Sequence, residues 1–174
     1  MKAIFVAIVT LLLLLPAVPI RGQDEKVEVE ITDFMGNVLL KKEMSARQAE
    51  KLEKEILNGK FSCGIKFDFG FNNYIISYGK GKVYIPLSKE RSFIRLMLRP
   101  IIFNYEKGFT ITKFGANYAW KGAKIGDYGT MLGRQSGVML GFYGIHIRIR
   151  HALRPDTHIF VGGSMAIIGW NKLL

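Results

Sequence analysis

Cysteine is almost missing from this chain of 174 residues: Cys63 stands alone. A single thiol forms no intramolecular disulfide and supplies no multi-cysteine zinc site, so its expected place is a small apolar position in a core. Carboxylates are scarce after Gly59. Residues 60–174 carry five acidic against 17 basic side chains, a net of +12, whereas residues 24–59 carry nine acidic and six basic, a net of −3. Asp68, Asp127 and Asp156 are isolated in sequence, so no paired-carboxylate motif is visible. No G-x-G-x-x-G opens a helix, and no serine sits in a nucleophile elbow. The stretch "GKGKVY" (79–84) lacks the spacing and the Ser/Thr of a phosphate loop. These absences leave dinucleotide enzymes, P-loop NTPases and α/β-hydrolases without support. A nucleophilic pair of Cys63 with a histidine would lack any local signature.

Long apolar runs are confined to the amino terminus. Lys2 is followed by the apolar stretch Ala3–Leu15, then Pro16 and Pro19, with small residues at Ala17 and Gly22. This is the layout of a secretory signal peptide over residues 1–22. The prolines and the lack of a positive stop-transfer cluster favour cleavage over an uncleaved anchor, since Ala3–Ile20 lies at the lower edge of spanning length. No cysteine follows the apolar stretch, which argues against a lipoprotein. Residues 23–174 are expected outside the cytoplasm, secreted or held by the amino-terminal segment. Their length suits one domain, with residues 24–59 as a subregion too short for its own core.

The first periodicity is two. "VEVEI" (27–31) alternates, "DFMGN" (33–37) supplies turn residues and "VLLKKEM" (38–44) follows, which predicts a hairpin. Ser45 with Gln48 is a capping box. Ala49, Leu52 and Ile56 then share one helical face, and Asn58-Gly59 is a stop. Beyond it the chain returns to alternation in "GIKFDF" (64–69), "FTITKF" (109–114), "VMLGFYGIHIRIR" (138–150) and "HIFVGGSMAIIGW" (158–170). "NYIISYGKGKVYIPL" (73–87) reads as two strands around a Gly-Lys-Gly turn. "SKERSFIRLMLRP" (88–100) reads as a short helix ended by Pro100, with Arg91, Arg95 and Arg99 in one row, or alternatively as a strand through 93–98. Such closely spaced strands predict antiparallel pairing.

Glycine recurs at 122, 126, 129, 133, 137, 141 and 144. A helical stripe of seven would cost about 1 kcal/mol per residue. Turns and bent strands are the expected explanation.

All three histidines lie in "GIHIRIRHALRPDTHIF" (144–160). Ile145, Ile147 and Ile149 alternate with His146, Arg148 and Arg150, which predicts a half-buried strand with a cationic polar face. "ALRPDT" is a turn. His151 and His158 would flank it and face each other, with Asp156 as a third metal-ligand candidate. The neighbouring arginines and unmatched spacing argue against a metal and favour ordinary surface histidines. No cofactor is implied.

The expected fold is α+β: one β-rich domain, a mainly antiparallel curved sheet or partial barrel, with two short helices. The expected function is that of an exported, non-enzymatic protein meeting an anionic surface, a membrane or an envelope polymer, through a basic, aromatic-rich region. Arg91, Arg95, Arg99, Arg148, Arg150 and Arg154 are its candidate contacts. One alternative is a carrier of an apolar small ligand or lipid in a barrel-like cavity. Another is a hydrolase or metal site at His146, His151 and His158. Export and the lack of a recognition motif argue against nucleic acid.

Overall fold

The computed structural model describes residues 25–57, 73–86, 99–115 and 126–171. The leader, Cys63, the "GIKFDF" strand, Arg91 and Arg95 lie outside them. Among the described residues the chain forms nine strands and one helix: β1 (Lys26–Asp33), β2 (Val38–Ser45), α1 (Ala46–Leu57), β3 (Asn73–Tyr84), β4 (Pro100–Lys113), β5 (Tyr128–Leu132), β6 (Gln135–Leu140), β7 (Tyr143–Arg150), β8 (Thr157–Ser164) and β9 (Ala166–Asn171). All strands belong to one antiparallel sheet, ordered β2-β1-β7-β8-β3-β4-β6-β9, with β5 beside β4. The fold is β-rich with one antiparallel sheet, as expected, and the sheet is not closed. One helix is described instead of two. Residues 88–98 of the second lie outside the described residues, and Pro100 opens a strand, where its missing N–H falls at the first ladder position.

The amino-terminal hairpin forms as its pattern dictates. Val27, Val29 and Ile31 are buried on one face of β1. The Asp33 carboxylate accepts hydrogen bonds from the N–H groups of Met35 (2.9 Å) and Asn37 (2.8 Å), which closes the turn. The α1 cap is reciprocal: Gln48 N–H donates to Ser45 Oγ (3.3 Å) and Ser45 N–H to Gln48 Oε1 (3.1 Å). Ala49 and Leu52 pack on Val27, Val29, Ile31, Met44, Ile147, Ile149 and Ile159. Tyr78 of β3 donates its hydroxyl hydrogen to Glu53, which ties α1 to the middle of the sheet.

Strand β3 corrects the expected hairpin at Gly79-Lys80-Gly81. It runs unbroken, paired with β4 on one side and β8 on the other, with a register shift after Lys80. These glycines do not turn the chain; they make room. A Cβ on Gly79 would lie 2.1 Å from Cγ of the Tyr105 ring, so the bare backbone is the seat of that ring. Gly137 seats Phe103 in the same way. Tyr105 and Phe103 are fully buried with Ile75, Ile101, Met139, Phe142 and Phe160 in a second core cluster. The glycine series otherwise follows the expectation of turns and bent strands. Gly126, Gly133, Gly141 and Gly144 have positive φ, Gly129 and Gly137 lie in strands, and Gly122 is outside the described residues.

The two clusters lie on opposite faces. Alternation along β7 and β8 sends Ile147, Ile149 and Ile159 toward α1, and His146, His158 and Phe160 to the other side. The sheet must also curl. Val38 of β2 and Ile101 of β4 line one cavity, although five strand spacings, about 24 Å in a flat sheet, separate them.

Candidate functional site

The cavity lies on the face opposite α1, where the curl brings the β1–β2 turn toward the end of β3 and the start of β4. Its volume is about 410 Å³, within the range of small-molecule sites. Phe34, Val38, Val83, Ile85, Ile101 and Phe142 supply apolar wall, and Glu30, Thr32, Arg99, His146, Arg148, Arg150 and His158 supply polar groups. Its lining is therefore mixed, an apolar wall facing a set of convergent polar and charged groups.

Two histidines form part of the polar side. His146 opposes Phe160 in the β7–β8 register and Arg148 opposes His158, so the imidazoles are diagonal neighbours. Their planes are nearly parallel, at 8°, and His146 Nε2 lies 3.1 Å from His158 Nδ1. His146 also stacks on Phe160 at 4.2 Å between centroids. Thr32 Oγ1 is 3.4 Å from His146 Nδ1. His146 and His158 are 8% and 3% exposed, so the expectation of surface histidines fails for both. Burial chiefly holds His146 well below the usual imidazole range, with His158, Arg148 and Arg99 acting in the same direction. Burial, then Arg148, bring His158 down to about 4, against opposing effects of Asp156 and a backbone hydrogen bond at Gly81.

The expected facing pair, His151 with His158, does not form. His151 lies beyond the end of β7, with its Nε2 3.4 Å from Thr157 Oγ1. Asp156 is taken by Arg148, whose Nε and Nη2 donate to Asp156 Oδ2 at 2.8 and 2.6 Å. The three metal-ligand candidates His151, His158 and Asp156 are thus drawn to separate partners. Among the described residues no group of three His, Cys, Asp or Glu side chains is placed to hold a metal ion.

The candidate arginines also part company. Arg150 bridges Glu28 at 2.8 Å and Glu30 at 3.5 Å. Arg154 is exposed in the loop between β7 and β8. Arg99 differs from all of these. It lines the cavity with no ion pair among the described residues, and its Nε, like that of Arg150, is buried without a hydrogen-bond partner among them. Burial lowers its pKa, yet a guanidinium stays charged at any ordinary pH. Arg99 was legible in the sequence only as one of a row with Arg91 and Arg95. Thr32, Val83, Ile85, Ile101 and Phe142 carried no functional signal, because each is an ordinary alternating strand residue or a turn aromatic. No family model, curated protein or solved structure matches this chain.

Proposed function

We propose that the protein is an exported, non-enzymatic binding protein that holds a small, largely apolar molecule in the cavity between its curled sheet ends. The observation that carries this reading is the cavity of about 410 Å³, walled by Val83, Ile85, Ile101 and Phe142 while the rest of that face is filled by packed rings. A polar contact set is present, but its hydrogen bonds run within the protein. His146 faces His158 and Thr32, and Asp156 serves Arg148. Thr32 Oγ1 lies 3.4 Å from His146 Nδ1, a long and weak contact. Location outside the cytoplasm rests on the leader pattern of residues 1–22.

The test is displacement of an apolar fluorescent probe, N-phenylnaphthylamine, from the purified protein. One probe should bind per chain. Ile101→Trp, which fills the cavity from β4, should abolish binding while cooperative unfolding persists. Unchanged probe binding in Ile101→Trp would place the probe elsewhere and refute the carrier reading.

One observation favours a second reading, contact with an anionic membrane surface. Leu153 is 92% exposed at the tip of the β7–β8 loop, next to exposed Arg154. An apolar side chain beside a cation suits the headgroup boundary. Leu153→Ser with Arg154→Gln should reduce sedimentation with vesicles containing anionic lipid at low salt. Equal sedimentation of variant and wild type would exclude the tip as the contact.

A further inference from the structure

We infer that the cavity's occupant carries a single anionic head group, which sits on Arg99 beside the His146–His158 pair while its apolar body lies along Val83, Ile85, Ile101 and Phe142. This rests on the carrier reading and adds the chemical class of the ligand.

Charge accounting around the cavity leads to Arg99. Three arginines and two carboxylates line it. Asp33 is committed to its own turn, where its two oxygens accept from Met35, Asn37 N–H and Asn37 Nδ2. Glu30 lies 3.5 Å from Arg150, Glu28 holds Arg150 and Lys41 at 2.8 Å each, and Asp156 holds Arg148. Among the described residues every one of these charges has a counter-ion or donor except Arg99. A half-buried guanidinium with an unpartnered N–H is costly to keep beside an apolar wall. It is also the side chain best matched to the planar oxygens of a carboxylate or the oxygens of a phosphate or sulfonate. Among the described residues the lining offers an uncommitted cation and no uncommitted carboxylate, so an amphiphilic cation would meet repulsion where an amphiphilic anion meets attraction.

The histidine pair makes the same site sensitive to protons. The charged groups facing it are Arg148 on β7, Asp156 in the β7–β8 loop and Arg99 before β4; Thr32 on β1 and the backbone at Gly81 on β3 are its polar neighbours. Burial first, and then cations that outnumber the carboxylate, keep both imidazoles neutral near pH 7 in the protein alone. An anion seated among them reverses part of that field and favours the imidazolium. Binding then takes up protons, and affinity for an anion must rise as pH falls, by up to about tenfold per pH unit for each proton taken up. A neutral ligand of the same length has no such linkage.

Octanesulfonate and octanol separate the possibilities, because the sulfonate stays ionised throughout and the two share one chain length. Titration calorimetry of the full chain should show octanesulfonate binding at least tenfold tighter than octanol at neutral pH. Arg99→Gln should erase that preference and leave octanol affinity unchanged. Octanesulfonate affinity should climb from about pH 7.5 to pH 5.5 in the wild type and stay flat in the His146→Gln, His158→Gln double variant. Equal binding of the two ligands would overturn the anionic class and leave the carrier reading standing. An Arg99→Gln variant that loses both ligands equally would make Arg99 structural and also overturn it. Failure of both ligands to bind the wild type would remove the carrier reading itself.

Discussion

Unfolding should take up protons between pH 6.5 and about 4, and the buried imidazoles should be the cause. A free imidazole titrates near 6.5. In the folded chain His158 is held at about 4 and His146 lies well below its usual value, burial being the first cause for each. The sign follows from proton counting. In this window the unfolded chain binds more protons than the folded one, so stability rises with pH. It is fully present above about pH 6.5 and is lost as pH falls toward the folded values. For His158 the gap of about 2.5 units corresponds to about 3 kcal/mol at 1.36 kcal/mol per unit, and His146 adds to it with the same sign. That is a large share of the 5–15 kcal/mol typical of a domain. Urea unfolding at intervals from about pH 7.5 to 4.5 measures the slope, with both imidazoles removed as His146→Gln and His158→Gln for comparison. The carboxylates do not confuse the result. Glu28, lowered chiefly by its hydrogen bond from Lys41, and Glu50, lowered chiefly by that from Lys54, are common to both proteins. Stability linked to them is present above the normal carboxylate range and is lost only at lower pH. The wild-type slope should exceed that of the double variant by one to two protons near pH 5.5. Equal slopes would refute the neutral, buried pair.

Three further outcomes follow from the packing. Gly79→Ala places a Cβ 2.1 Å from the Tyr105 ring, and the displaced ring should cost about 1–3 kcal/mol or more in urea unfolding, with Gly137→Ala similar against Phe103. Gln135 is fully buried with neither side-chain polar atom bonded among the described residues, so Gln135→Met should stabilise the fold by about 1–2 kcal/mol, read as a raised urea midpoint at unchanged slope. Ser45→Ala removes one half of the capping box and should cost about 1 kcal/mol, whereas Ser45→Asp, which keeps an acceptor for the Gln48 amide, should cost much less by the same measurement.

The sequence by itself determined whatever depends on residues near one another in the chain. Alternation marked β1, β7 and β8, the Ser45–Gln48 spacing marked the start of α1, and the cost of helical glycine marked the 126–144 series as turns and strands. It determined the basic imbalance after Gly59 as well. Local patterns failed where the cause lay across the sheet. Gly79 and Gly81 read as a turn because their local chemistry permits one; the Tyr105 ring that occupies the space over Gly79 is 26 positions away. Local spacing sets His151 and His158 face to face across a loop, but the β7–β8 register sets His158 diagonally against His146, and curling of the sheet places both at a cavity. Arg99 looked like one of three equivalent arginines. Only the tertiary structure sets it apart, because pairing its neighbours Arg148 and Arg150 with Asp156, Glu28 and Glu30 leaves Arg99 as the one cavity guanidinium with no ion pair among the described residues. Strand register and sheet curvature are sums over many distant contacts, and no window of the sequence contains them.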